Sequence, residues 1–199
     1  MTDIDTLTAA LEHSLFVELE ASGRHVHLTR EAAMTLFGHS LTKKLPLSQP
    51  GQYVCAERVA LSGPKGTIQR VAVLGPERPE NQAELSLTDA VSLGITIPVR
   101  LSGDLSDAGQ VTVIGEQGQI TCPAIAARRH IHLTPAEAKQ YGLEQAKTVR
   151  IKAVTDRPVV FDDVVVRIHD SFAARVHLDY DEANACHFHK GDLGLILRG

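Results

Sequence analysis

One six-residue pattern occurs twice in this chain. Arg24-His25-Val26-His27-Leu28-Thr29 returns about half a chain later as Arg129-His130-Ile131-His132-Leu133-Thr134, and a shorter echo follows as Arg175-Val176-His177-Leu178-Asp179. In each case an apolar stretch ends in Leu and meets Thr or Asp, whose side-chain oxygens favour the N-cap of a helix. Helix-compatible stretches containing Ala33, Ala138 or Ala183 follow, and Glu137 and Glu182 stand three residues after Thr134 and Asp179, the spacing of a capping box. The repeated unit reads as strand, cap, short helix. With two full copies in 199 residues, the economical arrangement is two related lobes facing each other.

Successive side chains on a strand point to opposite faces, so His25 and His27 share one face and Val26 takes the other. His130 and His132 behave likewise about Ile131. Each His-x-His is a two-nitrogen claw of a kind that suits zinc, and two claws with a carboxylate would make a mono- or dinuclear site, His177 supplying a third arm. Any one of these histidines could instead be a hydrogen-bonded strand residue. Four of them in the same two positions of a repeat, however, meet no packing need that Val or Thr would not meet without burying a polar ring. His13, His39 and His169 read as ordinary histidines, and His187 and His189, beside Cys186, are not assigned to the site. His25, His27, Glu31 and Gly38 imitate the first metal motif of a cupin. Yet Thr29 to Phe37 reads as a capped helix that carries Glu31 away, and no second cupin motif follows.

The rest of the chain reads as mainly β with short helices. Apolar runs between turn signals place strands at Gln52–Leu61, Thr67–Leu74, Val99–Leu101, Val111–Ile114, Val149–Val154, Val159–Ile168 and Leu193–Leu197. Many short strands favour barrels or sandwiches over a doubly wound sheet. Apolar Ile4, Leu7, Ala10, Leu11 and Leu15 predict a short amphipathic helix at the N-terminus, with no signal peptide or membrane anchor. Its shortness favours packing on the body over addressing the protein to a partner shell. A net charge of −4 offers no basic field for nucleic acid. Three cysteines without a CxxC fit a reducing compartment, so the expected location is the cytoplasm.

Taken in order, RHVHLT, LSQPGQ, LSGPKG, VLGPERPENQAELSLTDA, PVRLSGD, RRHIHLTP and VHLDYDEANA resemble the phosphotransacylases of the propanediol-utilisation type, from about Gly23 to Ala185. The resemblance implies two β-barrels capped by short α-helices with the active site between them. One barrel would take residues 1–21 plus 128–199, the other 22–127. It implies one zinc on His25, His27 and Glu84 and a second on His130, His132 and His177. Arg78 of GPER would meet phosphate, and Ser102 of LSGD would line the site. The implied reaction moves a short acyl group, propanoyl or acetyl, from coenzyme A to inorganic phosphate.

The residues themselves agree with that transfer of roles. Glu84 alternates with Leu85 and is expected to share a strand face with Ser86, and a guanidinium suits bidentate capture of phosphate better than Lys65, which reads as a turn residue. Tyr180 and the CHFH stretch depart from the family pattern, which bears on acyl size. Because imidazole must be deprotonated to ligate zinc, activity is expected to fall below roughly pH 6. No nucleic acid or membrane partner is expected, and a homo-oligomer or association with a microcompartment is open. A dinuclear zinc hydrolase and a metal-stabilised binding module are the rival readings.

Overall fold

The computed structural model describes residues 15–197. The helix expected over Thr2–Leu15 therefore lies, apart from Leu15, outside the described residues. In chain order the elements are β1 (Phe16–Ala21), β2 (His25–His27), α1 (Arg30–Phe37), β3 (Lys43–Pro46), β4 (Tyr53–Gly63), β5 (Gly66–Gly75), β6 (Gln82–Leu85), α2 (Leu87–Leu93) and β7 (Val99–Arg100). The chain continues with β8 (Gly109–Ile114), β9 (Gln119–Ala127), β10 (His130–Leu133), α3 (Pro135–Tyr141), β11 (Thr148–Val154), β12 (Val160–Ile168), β13 (Arg175–Leu178), α4 (Tyr180–Ala185) and β14 (Leu193–Leu197). Among the described residues no helix is long and apolar enough to cross a membrane.

The strands close into two six-stranded barrels, so the fold is mainly β with short helices, as the patterning requires. One barrel runs β2-β5-β4-β8-β9-β6 and back to β2, with β3 added beside β4 and β7 beside β9. The other runs β10-β12-β11-β14-β1-β13 and back to β10. The two rings are the same ring. β2/β5 and β10/β12 are parallel, β6/β9 and β13/β1 are parallel, and the remaining four junctions of each are antiparallel. Register agrees too: His25 lies opposite Ala72 and Glu84, and His130 opposite Val165 and His177.

Even an irregularity is duplicated. Arg70 and Asp163, each two residues before the partner of a first histidine, both adopt left-handed backbone, with φ of 60° and 59°, where the pairing of β4 with β5 and of β11 with β12 shifts. A bulge of this kind bends a strand and sharpens its twist, which a closed barrel of six strands requires.

The chain passes between the rings in an exchanged manner. β1 leads directly into β2 yet closes the ring of β10, and β9 leads into β10 yet closes the ring of β2. By compactness, residues 15–22, 129–178 and 182–197 form one unit, and 23–128 with 179–181 form the other. Each unit has its own core. Val26, Leu61, Val73, Ala83, Val113 and Cys122 fill the first barrel, and Leu19, Ile131, Ile151, Val164, Val176 and Ile196 the second. At roughly 1.5–3 kcal/mol for each fully buried large aliphatic side chain, this alternate-residue burial is the main force holding each ring closed. It also fixes which face the histidines take, since Val26 and Ile131 point inward.

The helices begin where the caps dictate. Thr29 Oγ1 accepts from the Ala32 N–H, and Thr134 and Glu137 form a full capping box ahead of α3, with Pro135 in its first turn. Gly38, Gly94 and Gly142 end α1, α2 and α3 with φ of 76°, 74° and 68°. Helix α2 and strand β9 were not expected. Ser86, expected on a strand face beside Glu84, is instead the N-cap of α2, in a capping box with Asp89. Strand pairing ends at Leu85 because the Ser86 side chain turns to its own helix.

Candidate functional site

Strand β2 has only three residues, and its neighbours decide what its outward face meets. In the antiparallel register with β6, His25 faces Glu84 and His27 faces Gln82. All four are buried, at 5%, 6%, 3% and 2% exposure respectively. The His25 Nε2 and His27 Nε2 atoms are 3.2 Å apart, Glu84 Oε2 is 3.6 Å from His25 Nε2, and Glu84 Oε1 is 3.6 Å from His27 Nε2. Four donors bonded tetrahedrally at about 2.05 Å stand about 3.3 Å apart. The two imidazole nitrogens therefore already have the spacing of two corners of a zinc tetrahedron, and a different Glu84 oxygen lies near each of them. His25 Nδ1 lies 2.7 Å from the Gly23 carbonyl, which can only accept, so Nδ1 carries the proton and Nε2 turns its lone pair toward the cluster. His27 Nδ1 is buried with no hydrogen-bond partner among the described residues.

The electrostatics describe a pocket that wants one positive charge. Burial pushes His25 down, but the charge and hydrogen bond of Glu84 more than offset it and leave His25 raised. Burial, with the charges of His25 and Arg78, takes His27 down to about 4 despite Glu84. Burial would raise Glu84, yet the two imidazoles hold its carboxyl well below the usual carboxylate range. The cluster thus favours an ionised Glu84 with a single cation against it, and a proton or a metal ion can fill that role.

Glu84 is also tied to Arg78 and Ser102. The Ser102 hydroxyl donates to Glu84 Oε1 at 2.7 Å, and Arg78 Nη1 donates to Ser102 Oγ at 3.1 Å. Arg78 is held at its backbone, where its N–H donates to the Leu28 carbonyl. The residue that sequence reasoning missed is Gln82. Its Nε2 donates to Glu84 Oε1 at 2.6 Å and to Ser102 Oγ at 3.0 Å, while its Oε1 accepts from the Gly103 N–H at 2.8 Å. The signal available was Gln82-x-Glu84, the same alternation that defines His-x-His.

The second barrel repeats the geometry with different donors. His130 faces His177 across β10 and β13, and His132 faces Arg175. Ring centroids of His130, His132 and His177 are 4.6, 4.8 and 5.1 Å apart. One donor atom from each lies within 4.8 Å of the others, as in the His25, His27 and Glu84 group. Burial, then the charges of His130, His177 and Arg167, takes His132 down to about 2, so this ring is neutral. Phe172 packs on His132 at 4.3 Å between centroids. His177 stands where Glu84 stands in the first barrel and Arg175 where Gln82 stands, but Arg175 pairs outward with Glu18 at 2.9 Å.

Other candidates fall elsewhere. Glu31 is exposed on α1 and belongs to neither cluster, and Lys65 sits in the exposed turn between β4 and β5. His39 contacts the Ser40 carbonyl and His169 the Ser171 hydroxyl. His13 lies outside the described residues. His187 and His189 meet edge to face at 4.5 Å, but among the described residues the only groups of three or more donors are the two above. Tyr180 lies under Arg24, 5.7 Å from guanidinium to ring, and leaves room at Gly23 for no side chain.

Comparison with known proteins matches the sequence over most of its length to a known family. The sequence model of that family, described as phosphate propanoyltransferase, matches residues 18–189. The phosphate propanoyltransferase of Listeria monocytogenes is 50% identical over 186 residues, covering 92% of this chain and 87% of its own. That of Clostridioides difficile is 45% identical over 199 residues, covering 98% and 95%, and that of Thermotoga maritima 46% over 181 residues, covering 88% and 86%. The chain belongs to the phosphate propanoyltransferase family of phosphotransacylase enzymes.

Proposed function

We propose that this chain transfers a short acyl group, propanoyl or acetyl, from coenzyme A to inorganic phosphate, with zinc held by His25, His27 and Glu84 and a second zinc by His130, His132 and His177. The observation that carries this reading is the buried trio His25, His27 and Glu84, whose donor atoms converge within 4.8 Å of one another and which is hydrogen-bonded through Ser102 to Arg78. Two imidazoles and a carboxylate leave a fourth position open, the arrangement of catalytic rather than structural zinc. When bound, such ions supply Lewis-acid polarisation of a carbonyl oxygen and stabilisation of a departing thiolate.

The protein's own groups do the rest. Arg78, held by Ser102, orients phosphate for attack, turning an encounter in solution into a positioned reaction. A phosphate oxygen adds to the thioester carbonyl carbon, the carbon–sulfur bond breaks, and coenzyme A leaves as the thiolate, so no covalent enzyme intermediate is required. Phe172 beside His132 gives an apolar wall that discourages water. The three cysteines are free and buried, which suits the reducing cytoplasm.

The test is acyl phosphate formation from propanoyl-CoA, with and without added phosphate. Acyl phosphate that appears only with phosphate supports the proposal. Release of coenzyme A at the same rate without phosphate would instead make the protein a zinc hydrolase.

A further inference from the structure

We infer that Gln82 is a positioning residue whose carboxamide ties the Glu84 carboxylate to Ser102 and, through Ser102, to Arg78, setting the metal-holding and phosphate-holding groups as one unit. This rests on the reading of Glu84 as a metal ligand and Arg78 as the phosphate contact. Gln82 is 2% exposed, so each of its polar atoms must find a partner inside the protein. Its orientation is settled by the backbone: the Gly103 N–H can only donate, so the atom it meets at 2.8 Å is the amide oxygen. The amide nitrogen, with two hydrogens, then faces Glu84 Oε1 at 2.6 Å and Ser102 Oγ at 3.0 Å.

Ser102 has one proton and spends it on Glu84 Oε1 at 2.7 Å. Its lone pairs are left to accept from Gln82 and from Arg78 Nη1 at 3.1 Å. Every hydrogen in the chain therefore has one direction. The consequence is that Glu84 Oε1 accepts two short hydrogen bonds on the side of His27 Nε2, while Oε2, with no such bond from Gln82 or Ser102, faces His25 Nε2. Gln82 thereby fixes the rotation of the carboxylate and so which oxygen faces which imidazole. The same contacts fix the hydroxyl that holds the guanidinium.

The duplicated barrel supplies an internal comparison. The position equivalent to Gln82 is Arg175, facing His132 as Gln82 faces His27, and it turns to Glu18. The tie thus belongs to one cluster, and its removal should weaken one metal.

The experiment measures zinc affinity by competition with a chromogenic chelator, together with the KM for phosphate and for propanoyl-CoA at saturating zinc. It compares wild type, Gln82→Met, Gln82→Asn and, as a control, Tyr141→Phe, which removes the hydrogen bond from Tyr141 to the Phe16 carbonyl in the other barrel. Both Gln82 variants should weaken one of two zinc ions by about 10- to 100-fold, raise the phosphate KM several-fold and leave the propanoyl-CoA KM unchanged. Tyr141→Phe should lower the melting temperature and change neither zinc affinity nor KM. If Gln82→Met does not fold, Gln82→Asn decides. Wild-type zinc affinity and phosphate KM in a folded Gln82 variant would overturn the inference, whatever its melting temperature. A wild-type chain that binds no zinc and forms no acyl phosphate would overturn the underlying reading with it.

Discussion

His25, His132 and Arg78 occupy surroundings that make their losses distinguishable. His25→Ala removes the imidazole that faces Glu84, and His132→Ala removes a ring from a cluster with no carboxylate. Each should lose one metal equivalent and at least about 100-fold in turnover, read by metal analysis beside a coupled assay. Arg78→Ala should keep both metals and raise the phosphate KM by about 10- to 100-fold, the size of a lost charge-assisted hydrogen bond. If Arg78→Ala lost metal as well, its side chain would be supporting the cluster rather than the phosphate. The face shared by each pair of histidines was legible, because His-x-His on a strand admits one geometry. Glu84 was harder, since one carboxylate in an alternating segment has no spacing of its own. Gln82 left only the faint signal of its alternation with Glu84. A glutamine acquires meaning only when its partner strand and the loop carrying Ser102 and Gly103 are in place.

The elements follow from caps and bulges that act locally. Thr134→Ala, which breaks the capping box of α3, should cost about 1 kcal/mol in urea unfolding. Arg70→Gly, which relieves left-handed backbone at φ 60°, should raise stability by up to about 1 kcal/mol, and Arg70→Val should lower it. Gly115→Ala should be damaging for a packing reason, because a Cβ there would lie 2.5 Å from the Leu36 carbonyl oxygen at the end of α1. A neutral outcome would mean that α1 can shift away from the β8 turn. The long apolar strands β4, β5, β11 and β12 were legible as runs. Strand β9 was not, since Pro123 and three alanines dilute its pattern, and its pairing with β6 and β8 comes from register rather than propensity. Helix α2 was announced by Ser86-x-x-Asp89 and by Gly94, a signal masked by the apparent alternation of Ala83 to Leu87.

At the scale of the molecule, one ring of strands occurs twice with two facing residues changed, Glu84 and Gln82 in one barrel and His177 and Arg175 in the other. The second barrel takes β1 from the far end of the chain, whereas the six strands of the first all lie within residues 25–127, so removing β1 would open only the second ring. The first barrel also carries two buried thiols, Cys55 and Cys122, both pushed up to about 12 mainly by burial. Unfolded thiols ionise near pH 8.5. Between those values the unfolded chain has lost protons that the folded chain retains, so stability falls as pH rises, by about 1.4 kcal/mol per pH unit for each thiol. Below about pH 8.5 neither thiol contributes. Urea midpoints measured from pH 8 to 10.5 should decline, and less steeply in Cys55→Ala/Cys122→Ala. An equal slope in that variant would place the alkaline loss elsewhere.

If both histidine clusters hold metal that acyl transfer needs, zinc added stepwise to metal-free protein should restore propanoyl phosphate formation from propanoyl-CoA and phosphate, with no turnover before the first addition and a plateau at two zinc ions per chain. Full activity in the metal-free protein, or a plateau after one ion, would contradict the proposal.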